Sequence, residues 1–164
     1  MGYQKILVGI DGSIQSDMAF QKALEVAKTN HAKLYLLSVV NGEKYPTGTG
    51  GYSFISHDIY DQAVGTMEKK LTDYKQKAVD AGIENVETAV KVGNAKVELA
   101  ERYPKANEID LIVIGVTGLN VVGRLIVGST AAYTIREAPC DVTVVKTNLD
   151  NQKLKIKESS YPEI

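Results

Sequence analysis

The sequence holds no tryptophan, one cysteine, two histidines and four prolines in 164 residues. A single thiol, Cys140, excludes an intrachain disulfide framework and a multi-cysteine metal centre. Two separated imidazoles, His31 and His57, supply too few ligands for an ordinary zinc site. An excess of one charge is also missing, because 19 Lys+Arg oppose 20 Asp+Glu for a formal net charge of -1. That balance removes the bulk electrostatic drive toward nucleic acid or an anionic membrane. No run approaches the roughly 20 apolar residues that cross a bilayer, and the first residues lack the long apolar core of a signal peptide. A cytoplasmic protein with neither nucleic acid nor membrane as partner is the expectation.

The remaining composition, 44% hydrophobic and 24% charged, is that of one ordinary globular domain. The domain is expected over residues 1–147, followed by a polar tail over 148–164. Short apolar runs occupy residues 5–11, 34–40, 111–115 and 142–146, with a weaker, more alternating one at 86–92. Consecutive apolar positions suit strands covered on both faces, as in a parallel sheet. Helical patterns alternate with them. Ala19, Phe20, Ala23, Leu24 and Ala27 form one face. Tyr60, Val64, Met67, Leu71, Tyr74 and Ala78 form a second, with Gly82 as its stop. Val97, Ala100 and Tyr103 predict a short helix ended by Pro104. Ala131, Ile135 and Ala138 predict another, ended by Pro139. The alternation predicts an open α/β fold with helices on both faces and right-handed crossovers. Residues 41–57 carry four glycines and read as a long loop, a lid or a mobile connection, with His57 opening the next helix. Tyr45 and Tyr52 in that loop are placed to cover a base.

In such sheets ligands lie beyond the carboxyl ends of the strands. The stretch after the fourth strand, residues 115–130, holds four glycines in 16 residues and opens a helix. Glycines let backbone N–H groups approach phosphate oxygens, and the helix start offers unpaired N–H groups at a positive dipole end. Ser129 and Thr130 add hydroxyls or cap the helix. A glycine-rich turn without a ligand fits the same residues. The P-loop pattern fails, because Arg124-Leu125 follows the Gly118–Gly123 pair and Ser129 stands where Lys is required after Gly128. The dinucleotide fingerprint fails at Gly9-Ile10-Asp11-Gly12.

Gly115-x2-Gly118-x9-Gly128-Ser129 resembles the G-2x-G-9x-G-(S/T) motif of the universal stress protein family, in its ATP-binding branch. Residues 5–13 (KILVGIDGS), 37–40 (LSVV) and 138–146 (APCDVTVVK) resemble the family's first, second and closing strands. The resemblance covers roughly residues 3–146. It implies an open five-stranded parallel sheet in order 3-2-1-4-5, Rossmann-like and of the adenine nucleotide alpha hydrolase type. A nucleotide would lie between strands 1 and 4. Asp11 would sit beside the adenosine and Gly9 near the base. Val39 would lie against the adenine and offer backbone hydrogen bonds. Ile114 and Gly115 would contact the base or ribose. Gly118, Gly128, Ser129 and Thr130 would contact the phosphates, with Arg124 the one evident cation of the loop. The resemblance also implies a homodimer through strand 142–146.

A nucleotide site is not an enzyme. No Lys occupies a P-loop position and no general base accompanies Asp11, so slow hydrolysis at most is expected. Any Mg²⁺ would be held mainly by the phosphates. The favoured reading is an ATP-dependent regulatory module acting on a protein partner. A dimeric interaction protein that binds no nucleotide, and a weak ATPase, are the alternatives.

Overall fold

The computed structural model describes residues 2–42, 53–116 and 127–153, the side chains of residues 53–57 excepted. Along the chain run β1 (Lys5–Gly9), α1 (Ile14–Asn30), β2 (Lys33–Asn41), α2 (Ser53–Asp80) and β3 (Val86–Gly93). They are followed by α3 (Ala95–Val97), a π turn (Glu98–Arg102), α4 (Tyr103–Asn107), β4 (Leu111–Gly115), α5 (Ser129–Glu137) and β5 (Asp141–Val145). The five strands form one sheet in the order β3-β2-β1-β4-β5, every pair parallel. This is the architecture that the sequence and its family resemblance imply.

Strand alternation divides the core between the two faces. Ile6, Val8, Leu34, Leu36, Leu111 and Val113 join Phe20 and Leu24 of α1 and Leu71 and Tyr74 of α2 in one cluster. Leu7, Tyr35, Leu37, Ile112 and Ile114 join Leu99 of the π turn, Tyr103 of α4 and Ala131 of α5 in the other. Burial on both faces is why β1, β2 and β4 read as unbroken apolar runs.

Helix α1 begins where Ser13 caps it, its hydroxyl accepting from the Ser16 N–H at 3.1 Å. It ends at His31, which takes the left-handed conformation (φ 54) on the surface, as a solvated turn residue does. Tyr74 belongs to the core, its ring edge-on to Phe20 at 4.9 Å and its hydroxyl donating to Asp17. Gly82 (φ 94) closes the turn after α2.

Three local expectations are corrected. Helix α2 starts at Ser53, so the long connection is shorter than residues 41–57 and His57 lies inside the helix. Nothing in Ser53 to Asp58 breaks a helix, and glycine composition ends at Gly51. Pro104 does not end the third helical segment, which continues through Asn107. The π turn closes with the Tyr103 N–H donating to the Glu98 carbonyl, and Pro104 then falls in the first turn of α4, where no N–H is required. Ile135 is 54% exposed, whereas Ala131 and Thr134 are buried. Helix α5 touches the sheet through a narrower face than its periodicity suggests.

Candidate functional site

The strands end at different heights. β1 pairs with β2 only up to Gly9 opposite Leu37. The β2–β3 ladder runs on to Asn41 opposite Gly93, and β4–β5 to Gly115 opposite Val145. A central strand that stops lower than both neighbours leaves a notch at the carboxyl edge of the sheet.

Backbone groups line this notch. The Ile10 N–H makes the last bond to β2, donating to the Leu37 carbonyl at 2.8 Å. Strand groups alternate sides, so Val39 turns its N–H and C=O in the same direction as Leu37, over the end of β1. A continued strand would offer Val39 the Ile10 carbonyl. That carbonyl instead accepts from the buried Ser38 Oγ at 2.7 Å. On the other flank the Val116 N–H donates to the Val145 carbonyl at 3.0 Å, which turns the neighbouring Gly115 carbonyl toward the notch.

Below Asp11 the chain turns into α1, and Asp11 supports the turn. Its Oδ1 accepts from the Ser13 N–H at 2.9 Å and from the Ser13 hydroxyl at 2.6 Å. The residue is exposed, and Oδ2 bonds no described residue. Two glycines here have steric reasons. Gly12 adopts φ +82, and a Cβ on it would lie 2.7 Å from Lys70 Nζ. A Cβ on Gly115 would lie 2.7 Å from the Gln15 carbonyl oxygen, so α1 packs its first turn directly against the end of β4.

The two helices starting at this edge differ. The start of α1 is capped by Ser13, whereas α5 opens on Gly128 without a side-chain cap. Gly128 is held in place, its N–H donating to the Val116 carbonyl at 2.7 Å and its carbonyl accepting from the Ala132 N–H at 2.9 Å. Ser129 is therefore the first helical residue rather than the cap. The uncapped first turn of α5 leaves N–H groups for water or an anion.

Gly9, Asp11, Val39, Ile114, Gly115, Gly128, Ser129 and Thr130 all lie at this carboxyl edge. Gly118, Arg124, Tyr45 and Tyr52 lie outside the described residues. Sequence reasoning passed over three neighbours. Lys70 brings an ammonium from α2 to the β1–α1 turn. Leu99 lies against Gly9. Glu98 is 9% exposed, with its carboxylate accepting from Arg102 at 3.1 Å. Helix packing carries Lys70 and Leu99 to the end of β1 and Glu98 to Gly93 at the end of β3, and no local pattern announces it.

The notch offers recognition groups but little reactive apparatus. Among the described residues no group of three or more His, Cys, Asp or Glu is placed to hold a metal ion. Cys140 is half-buried, and burial pushes its thiol up to about 11, assisted by Asp110 and Asp141. It packs as a small side chain and is no nucleophile at neutral pH. Among the described residues no helix is long and apolar enough to cross a membrane.

Comparison with known proteins agrees with this geometry. The model of the universal stress protein family matches residues 2–146. A putative universal stress protein of Staphylococcus saprophyticus is 37% identical over 150 residues, covering 88% of this chain and 84% of that protein. The solved universal stress protein UspA from Lactobacillus plantarum superimposes with a TM-score of 0.81 at 31% identity, over 88% of this chain and 99% of that one. A universal stress protein solved in complex with cAMP matches with a TM-score of 0.65 at 25% identity, over 88% and 98% of the two chains.

Proposed function

Because the chain belongs to the universal stress protein family, we propose that it is an ATP-binding regulatory module whose notch between β1 and β4 holds the nucleotide. One observation carries the reading: backbone groups of Val39 and Gly115 overhang the end of β1 at the same edge where α5 opens uncapped on Gly128. Adenine takes the Val39 N–H and C=O through one donor and one acceptor edge. Asp11 Oδ2 accepts from the adenosine, with Gly9 and Ile114 against it. The phosphates lie on the glycine-rich loop and on Gly128, Ser129 and Thr130, with Arg124 as counter-charge. Mg²⁺ is held mainly by the phosphates and water. The complex of a relative with cAMP supports the adenine nucleotide class.

Binding is the function, and hydrolysis is slow at most. Among the described residues the notch supplies no general base beside Asp11 and few cations for a transferring phosphoryl group. β5 is a sheet edge, with Asp141 and Thr143 exposed, and Ile135 on α5 is exposed as well. Pairing two β5 strands covers that edge and makes a homodimer. A regulatory protein partner reads the occupied state.

The test is mass spectrometry of the ligand released from purified protein, with thermal unfolding in added ATP. ATP at about a hundred times its Kd stabilises the fold by about 2.7 kcal/mol, or roughly 5–11 °C. Gly128→Leu abolishes the shift. Protein that carries no nucleotide and shows no shift with ATP, ADP or cAMP is an interaction protein of the same fold.

A further inference from the structure

The residues assigned to the base share one face of the sheet with the π turn. Gly9, Val39 and Ile114 occupy the alternate positions that point toward α3, the π turn and α5. Leu99 is buried in the same apolar cluster as Ile114, and Val39 packs against that cluster. A Cβ built on Gly9 would stand 3.1 and 3.2 Å from the two methyl groups of Leu99. Leu99 therefore fills the space that a side chain on the last β1 residue would take. The π turn makes this possible. Its wider ring buries three consecutive residues, Glu98, Leu99 and Ala100, where an α-helix would turn one of them away.

We propose that Leu99 is a specificity-determining residue, whose isobutyl group sets the depth of the notch beneath Gly9 and so the size of base it accepts. The proposal rests on the nucleotide reading above. Apolar pockets discriminate by volume, at about 10- to 200-fold for a methylene or two. With a bare glycine at position 9, the wall of the base pocket comes from a helix on the far side of the sequence rather than from β1. Shortening the wall admits a larger base. Lengthening it ejects adenine.

The experiment compares wild type, Leu99→Ala, Leu99→Val and Leu99→Phe by calorimetric titration. The probes are ATP, ADP, and ATP analogues enlarged at the 2-, 8- or N6-position of the base. Circular dichroism identifies the folded variants, and Leu99→Val serves if Leu99→Ala does not fold. The shortened wall is expected to raise the affinity of at least one enlarged analogue relative to ATP by about tenfold or more. Leu99→Phe is expected to weaken ATP by a similar factor, while the ATP-to-ADP ratio stays at its wild-type value. Folded variants that bind ATP and every enlarged analogue in wild-type proportions overturn the proposal. A change in the ATP-to-ADP ratio without a change in base preference also overturns it. Wild-type protein that binds none of the probes refutes the nucleotide reading itself, a result distinct from either of these.

Discussion

Gly115 opens the glycine motif, yet its neighbours give it a structural task that needs no ligand. Replacing it with alanine places a Cβ 2.7 Å from the Gln15 carbonyl oxygen and 2.8 Å from both the carbonyl carbon and the Cβ of Gln15. Ordinary contact begins at 3.4 Å, so α1 and the end of β4 must part by about 0.7 Å. The obstacle is helix backbone in its first turn, which no rotamer change can relieve. Overpacking of this kind costs about 1–3 kcal/mol, offset by about 0.5 kcal/mol from the less flexible unfolded chain. For a chain of this size the loss lowers Tm by roughly 1–10 °C. Gly65 is the control. It lies within α2, and a Cβ on it meets nothing within 4 Å. Gly65→Ala should raise stability by about 0.5–1 kcal/mol through helix propensity alone. Thermal and urea unfolding of both variants, free of nucleotide, measures the contrast. If Gly115→Ala is as stable as wild type, α1 does not press on β4, and the glycine serves only the ligand.

Three further predictions concern the cap of α1, the alkaline limit of stability and the reactivity of Cys140. Ser13→Ala removes the cap of α1 and one donor to Asp11, and should cost about 1 kcal/mol in urea unfolding, with ATP binding weakened as well because Asp11 loses its support. Unchanged stability would show that the hydroxyl does not hold this helix start. Burial raises the thiol of Cys140 to about 11 and the hydroxyl of Tyr103 to about 12. Both groups then keep their protons longer in the folded state, so stability is full below pH 9 and declines as pH rises from about 9 toward 12. Iodoacetamide should label Cys140 about a hundredfold more slowly in the folded than in the urea-unfolded protein at pH 8. Equal rates would refute the burial argument.

Much of the fold was legible because its causes are local. Strands buried on both faces need consecutive apolar residues, as at β1, β2 and β4, whereas the edge strands β3 and β5 alternate apolar with polar residues. The faces of α1 and α2 repeat at helical spacing, and Gly82 stops the second where the chain must turn back. The errors were also local, where packing overrode a rule. Pro104 is normally a terminator, but a π turn places it where its missing N–H is harmless. Ile135 fits the period of α5 yet is exposed.

The candidate site divides along the same line. Glycines at fixed spacing, Asp11 after a strand and Ser129 at a helix start are sequence facts, because turns and helix starts are made by neighbours in the chain. The notch is a different kind of fact. It exists because β1 stops at Gly9 while β2 and β4 continue, a difference in height set by pairing between segments far apart. Lys70 at Gly12, Gln15 at Gly115 and Leu99 at Gly9 likewise depend on which helix covers which face. Periodicity within the chain decided which segments are strands and helices and which residues end the strands. Only the tertiary structure decided what stands across from each of them, because a contact between distant segments leaves no periodic trace in either one.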